Sequence, residues 1–385
     1  MTTHTDEWRS HAKALADLLA DRGDLRDELW RAAVVAVPRH KLVPVAFQQD
    51  QNGWTEVDTS SSTGLDLAYS PTTLITSLAQ RDGYQEAVSS STKPDLMLRM
   101  LSLLDIADGD RVLEIGTGTG YNAALLSHRL GQENVFSVDV DPELVELARQ
   151  RLAAIGYRPT LVAVDGDRGL AEHGPYDRII ATCAAPLVPW TWVEQTKMGG
   201  QILADLKLGT SAGNLVLLDR TEFGAQGRFT ARWAGFMDMR HDLGPAKATT
   251  PETGDASTRT YETAVPMTPW RETVPWFLAH FSLPVRVRFG YQLDRDTLSP
   301  KAGTITTADG ATRIEITDDR QVRHVTETGP AHIWECIQAA YDTWADLGEP
   351  RWEAFGLTVT ETSQVVWFDH PASARTWQVS AATAR

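Results

Sequence analysis

VLEIGTGTGYNAALL, residues 112–126, decides the fold. A short apolar run with one acid leads into Gly116, Gly118 and Gly120, and an apolar-periodic run follows from Tyr121. This reads as strand, tight turn and helix. Glycine serves where backbone must turn sharply and a ligand must come close. The turn opens onto a helix N-terminus, which favours a negative ligand group. Working outward, NVFSVDV (134–140) reads as the next strand, and PELVELARQRLAAIG (142–156) as a helix with Asp141 as cap and Pro142 in the first turn. TLVAVDG (160–166), YDRIIATCA (176–184) and GQILADLKL (200–208) read as further strands. Such alternation implies an α/β fold, with an open, mostly parallel sheet and helices on both faces.

Asp139 ends the second strand, 19 residues beyond Gly120. An acid there can accept both hydroxyl protons of a ribose. The dinucleotide fingerprint is G-x-G-x-x-G, but here the spacing is G-x-G-x-G, with Glu114 two residues ahead. Glu114 would repel a pyrophosphate and attract an ammonium. S-adenosylmethionine carries an ammonium, a carboxylate and a ribose, and the loop resembles the nucleotide motif of class I S-adenosylmethionine-dependent methyltransferases. That resemblance implies a Rossmann-like fold with Glu114, Gly116, Thr117, Gly118, Gly120, Asp139 and Val140 around the cofactor. It places Asp165 and Gly166 near the adenine amine.

VPRHKLVP (37–44), SSSTKPDLMLRML (89–101), YDRIIATCAAPLVP (176–189), MGGQILADL (198–206) and RWAGFMDMR (232–240) lie around that loop. In this order they resemble the protein-L-isoaspartate O-methyltransferase family over roughly residues 25–240. The resemblance implies that Ser90-Ser91-Thr92-Lys93-Pro94 is the lid over the transferred methyl. Thr92 then stands for the family's serine, Ser90 for its threonine, and Ser91 for an isoleucine. RWAGFMDMR would be the closing strand. ILADLKLG (202–209) departs from the family's proline-containing turn. On local grounds alone, Thr92 with Asp95 is a capping box worth about 1 kcal/mol. Residues 48–66 and 80–92 read as loop, and 8–36 as two helices broken at Gly23, with Asp24 as cap. His40 and Asp177 read as structural.

The whole chain has 385 residues, which suggests two domains: a methyltransferase domain over 1–240, a polar linker over 241–262, and a smaller α+β domain over 263–385. In the last, PVRVRFGYQL (284–293) and ATRIEIT (311–317) read as strands, 330–348 as an amphipathic helix and 356–369 as a hairpin. A net charge of −15 without a basic block argues against nucleic acid as partner. No run suggests a membrane span or a signal peptide, and Cys183 and Cys336 have no metal-ligand spacing, so a cytoplasmic protein with reduced thiols is expected.

FGLTVT (355–360), VVWF (365–368) and the tryptophan-bearing helix resemble the C-terminal extension of actinobacterial relatives. Those are encoded beside ribosomally made peptides: lanthipeptides, lasso peptides and graspetides. This implies methylation of an aspartate side-chain carboxylate in a macrocyclised precursor peptide, the ester then closing to an aspartimide. The extra domain would bind that peptide. Two other readings stay open: isoaspartyl repair of damaged proteins, and a non-catalytic module binding S-adenosylmethionine or peptide. A small-molecule methyltransferase fits the PRHK and lid segments less well.

Overall fold

The computed structural model describes residues 7–51, 53–81, 83–241, 257–294, 297, 299–318 and 322–379. Helix α1 (Glu7–Asp21) buries Trp8, Ala12, Leu15, Ala16 and Leu19, about one residue per turn. Gly23 breaks the run at a φ of 74°. Helix α2 (Glu28–Ala36) is capped by Asp27, whose carboxylate accepts the Leu29 N–H. The expected cap, Asp24, instead meets Arg232 at 2.6 Å. A single turn, α3 (Arg39–Leu42), follows.

Where loops were expected at 48–66 and 80–92, the chain forms strands. β1 (Val45–Asp50), β2 (Gly53–Asp58), β3 (Leu74–Arg81) and β4 (Tyr84–Ser91) build an antiparallel sheet in the order β2-β1-β3-β4. Helix α4 (Ser62–Ala68) interrupts them, capped by Ser61. These strands bury little on either side, so they lack the apolar alternation that announces a strand. Helix α5 (Pro94–Leu103) begins with proline in its first turn. Its cap position is Lys93, without a side-chain hydrogen bond. The capping box of Thr92 and Asp95 does not form; Asp95 pairs with Lys93 at 3.1 Å.

Beyond it comes the expected alternation: β5 (Val112–Ile115), α6 (Tyr121–Leu130), β6 (Val135–Asp139), α7 (Pro142–Ala154), β7 (Thr160–Ala163), β8 (Tyr176–Ala185), α8 (Trp190–Gln195), β9 (Thr196–Lys207), β10 (Gly213–Thr221) and β11 (Gly224–Phe229). Asp141 caps α7 through the N–H groups of Glu143 and Leu144. β5 to β9 run parallel, and β10 and β11 are antiparallel additions. β5 lies between β6 and β8, so the strand order reverses there. That is where open α/β sheets bind ligands. The expected closing strand at 232–240 is an extended segment with one bridge, Ala184 to Asp238.

The later chain divides. β12 (Thr258–Thr263), α9 (Thr273–Ala279), β13 (Val287–Leu293), β14 (Pro300–Thr307), β15 (Arg313–Asp318), β16 (Arg323–Thr328) and α10 (Ile333–Asp346) form a five-stranded antiparallel sheet with two helices. Of the linker expected at 241–262, residues 242–256 lie outside the described residues, and 258–262 are strand. β17 (Phe355–Val359), β18 (Gln364–Phe368) and β19 (Thr376–Val379) then return to the first sheet. β17 pairs with β11 from Ala225–Val359 to Arg228–Gly356. The result is one ten-stranded sheet, β7-β6-β5-β8-β9-β10-β11-β17-β18-β19. A side chain at Gly356 would meet the Trp367 ring at 2.1 Å and the Gly227 carbonyl at 2.5 Å, so only glycine closes this seam. One hydrophobic core runs from Leu113 and Ile115 through Phe277 to Ile305, Ile316 and Ile337, and ties both sheets together.

Candidate active site

At the switch between β5 and β8 lies a cavity of about 280 Å³. Its floor is the glycine loop. Gly116 and Gly118 sit at φ values of 100° and 48°, which other residues rarely adopt. The Gly118 N–H donates to Asp139 at 2.9 Å, and the Asp141 N–H donates to the other Asp139 oxygen at 3.1 Å. The carboxylate is thus aimed by backbone at the end of β6. A Cβ on Gly118 would lie 3.9 Å from the Ser90 carbonyl, which shows that β4 passes directly over the loop.

Glu114 is 1% exposed. It accepts from Asn122 Nδ2 at 2.9 Å and from Ser137 Oγ at 2.7 Å, and Ser137 pairs with Thr117 Oγ1 at 2.7 Å. Burial pushes its carboxyl up to about 7, against these hydrogen bonds. The Asn122 carbonyl oxygen is buried without a partner. A raised carboxyl and an orphaned acceptor beside it fit a cationic donor. Asp139 at the other end fits vicinal hydroxyls. The residues present therefore suit a ligand carrying an ammonium and a ribose. Cys183 also lines the cavity, but burial and the surrounding carboxylates push its thiol up, so it is no thiolate nucleophile.

The lid is built from below. Arg39, fully buried, donates to five carbonyls: Ala68 at 2.9 Å, Ser70 and Thr72 at 3.3 Å, Thr92 at 3.1 Å and Ser91 at 3.5 Å. Its guanidinium lies 5.2 Å from the centre of the Tyr121 ring, on the cavity wall. Burial lowers it only to about 10, so it stays cationic at neutral pH. The neighbouring His40, expected to be structural, bonds Tyr69 at 2.8 Å, and burial lowers it to about 4. Asp177 accepts the Arg111 N–H at 2.8 Å and two bonds from Lys197, away from the cavity.

Ten of the twelve residues singled out from the sequence line this one cavity: Ser90, Ser91, Thr92, Glu114, Gly116, Thr117, Gly118, Asp139, Val140 and Gly166. Two do not. Gly120 faces away, where a Cβ would press Leu152 at 3.1 Å, so its glycine serves helix packing. Asp165 caps the turn at Gly166–Arg168 and is met by His241 at 3.1 Å. Sequence reasoning missed Arg39, Asn122, and the wall formed by Gly235 to Arg240, which bears Met237 and Met239. Asn122 lay in the first turn after the loop and could have been found. Ser90 Oγ lies 3.5 Å from Met237 Sδ across the cavity.

Sheet order, glycine loop and acid-lined cavity define a class I S-adenosylmethionine-dependent methyltransferase. The family model of protein-L-isoaspartate(D-aspartate) O-methyltransferase matches residues 10–227, and the chain belongs to that family. It is similar to protein-L-isoaspartate O-methyltransferase 1 of Archaeoglobus fulgidus, 34% identical over 210 residues, which cover 54% of this chain and 84% of that protein. The protein of the same name from Methanococcoides burtonii is 36% identical over 194 residues, covering 50% and 82%. A solved structure described as protein-L-isoaspartate O-methyltransferase shares the fold at 21% identity and a TM-score of 0.54. It spans 96% of this chain and 99% of its own, so its likeness includes the later sheet. The chain is thus an S-adenosylmethionine-dependent carboxyl O-methyltransferase. No helix among the described residues is long and apolar enough to cross a membrane.

Proposed function

We propose that this enzyme methylates the side-chain carboxylate of an aspartate in a macrocyclised precursor peptide, and that the ester then closes to an aspartimide. The observation that carries this reading is Ser91. Its hydroxyl is buried in the cavity wall without a partner, where the family resemblance has isoleucine. A buried, unpaired hydroxyl is costly unless something bonds it. A carboxylate oxygen is a fitting acceptor.

An aspartate is already ionised at neutral pH, with a free pKa near 3.9. No general base is needed. Glu114, Asn122 and Asp139 would hold S-adenosylmethionine, whose sulfonium would supply the methyl group and leave as S-adenosylhomocysteine. Ser90, Ser91 and Thr92 orient the carboxylate without neutralising it, and the lid excludes water. Positioning of this kind is worth about 7–11 kcal/mol. In the methylated peptide, the next backbone nitrogen attacks the ester carbonyl. Methanol leaves, and the five-membered imide remains. Against the original aspartate, the net change is loss of one water.

Family membership favours a second reading, isoaspartyl repair. A solved structure described as protein-L-isoaspartate O-methyltransferase, alike over the whole length, supports the same reading. Mass spectrometry separates the two. The protein is incubated with S-adenosylmethionine and either a side-chain-cyclised peptide with an internal aspartate or a linear isoaspartyl peptide. The cyclised peptide is expected to gain one methylene and then show net loss of water, while the isoaspartyl peptide turns over poorly. Efficient isoaspartyl methylation, with the cyclised aspartate untouched, refutes the proposal in favour of repair.

A further inference from the structure

The wall at 235–240 is not held by a regular strand ladder. One bridge to Ala184 of β8 and two ionisable side chains at the end of β9 hold it. Asp205 accepts the Phe236 N–H at 2.9 Å. Lys207, two residues on and so on the same face, donates to the Phe236 carbonyl and pairs with Asp238 at 2.7 Å. Next to this, the Ala184 N–H donates to the Met237 carbonyl at 2.8 Å, and the Met239 N–H to the Ala184 carbonyl at 2.7 Å. The held segment carries Met237, whose sulfur faces Ser90. Asp205 is 0% exposed, its second oxygen has no partner, and burial pushes it up to about 7. A buried half-satisfied carboxyl is a poor structural choice. Both side chains lie in ILADLKLG, the stretch that departs from the family pattern.

We propose that Asp205 and Lys207 are positioning residues: by gripping both backbone groups of Phe236 they fix Met237 as the abutment against which the Ser90–Thr92 lid is set. They touch neither cofactor nor acceptor and act through the segment they hold. The inference rests on the cavity being the methyl-transfer site, but not on which carboxylate is methylated.

The test uses the full chain with methyl-labelled methionine and NMR. Seven methionines give seven methyl signals, Met237→Leu assigns the one needed, and the eighth signal that K207M adds is recognised by its absence from every other variant. In the otherwise wild-type chain, S90A shifts the Met237 signal. In D205A and in K207M that shift is lost, because Met237 no longer sits against Ser90. D205N keeps an acceptor for the Phe236 N–H and keeps the shift. Calorimetry with S-adenosylhomocysteine gives a Kd near wild type for all three. Turnover on whichever acceptor the wild type methylates falls about 10–100-fold in D205A and K207M, without a matching rise in KM. The clamp is overturned if S90A still shifts Met237 in D205A and K207M, or if D205N behaves like D205A. Equal losses in turnover and S-adenosylhomocysteine affinity also overturn it. The NMR arm needs no acceptor, so it decides the clamp whichever substrate reading holds.

Discussion

Glu114 makes cofactor affinity a function of pH. In the free chain its carboxyl stands at about 7, against an ordinary 4.5, because it is buried. A raised acid favours the protonated fold, so its contribution to stability is greatest below pH 4.5 and is lost as pH rises through 7. The whole span is worth roughly 3 kcal/mol at 1.36 kcal/mol per unit. A bound ammonium reverses the preference, since it needs the ionised form. Binding therefore releases a proton below pH 7, and affinity should follow the ionised fraction. That fraction is about one-eleventh at pH 6 and about three-quarters at pH 7.5. The ligand's own α-amino group, near 7.7–8.0, sets the opposite limb. The net expectation is about five- to sixfold tighter S-adenosylhomocysteine binding at pH 7.5 than at pH 6. Isothermal titration calorimetry in buffers of different ionisation enthalpy measures both Kd and proton release. Glu114→Gln should flatten the acidic limb and leave the alkaline one. A wild-type Kd that is constant between pH 6 and 7.5, or an unchanged slope in E114Q, would refute this account of the ammonium site.

Thr92→Ala should cut methyl transfer at least tenfold while leaving thermal stability within about 0.5 kcal/mol of wild type, because Thr92 caps no helix; calorimetric melting beside a radiolabel assay checks both. Arg39→Met strips one buried cation from five carbonyls and should cost about 3 kcal/mol or more in urea unfolding. Its turnover should fall as well, since Ser91 and Thr92 lose their anchor. Gly356→Ala drives a methyl into Trp367 and the Gly227 carbonyl, and should destabilise by about 1–3 kcal/mol with the cofactor cavity intact.

The parallel half of the fold was legible because its strands and helices carry strong apolar periods, from Val112 to Leu206. The glycine loop and its two flanking acids, Glu114 and Asp139, announced the cavity for the same reason: their chemistry is local in sequence. The four-stranded sheet under the lid was not legible. GWTEVD and YQEAVSSS bury almost nothing, so backbone pairing alone defines them. Thr92 and Asp95 have the spacing of a cap, yet Pro94 sets the helix start one residue later and leaves Lys93 at the cap position. Arg39 could not be read as an organiser, because its five acceptors are carbonyls from two stretches, 68–72 and 91–92, far from it in sequence. The segment at 235–240, expected as a strand, has one bridge to Ala184 and two side chains of β9 in place of a ladder, so its role as cavity wall was not legible. The return of β17 to β11 escaped because nothing local in FGLTVT names its partner, more than 120 residues earlier.

That return sets an order of events during synthesis. When β11 leaves the ribosome, its outer edge is a row of open amides and carbonyls with no neighbour, and such edges recruit other chains. The strand that closes it emerges only after the five-stranded sheet has been made. Pairings this distant in sequence form late, because loop closure must come first. The methyltransferase sheet is thus exposed longest at the end away from its glycine loop. Aggregation of a nascent or truncated chain should begin at β11, and a fragment stopped before residue 355 should need a chaperone where the longer chain does not.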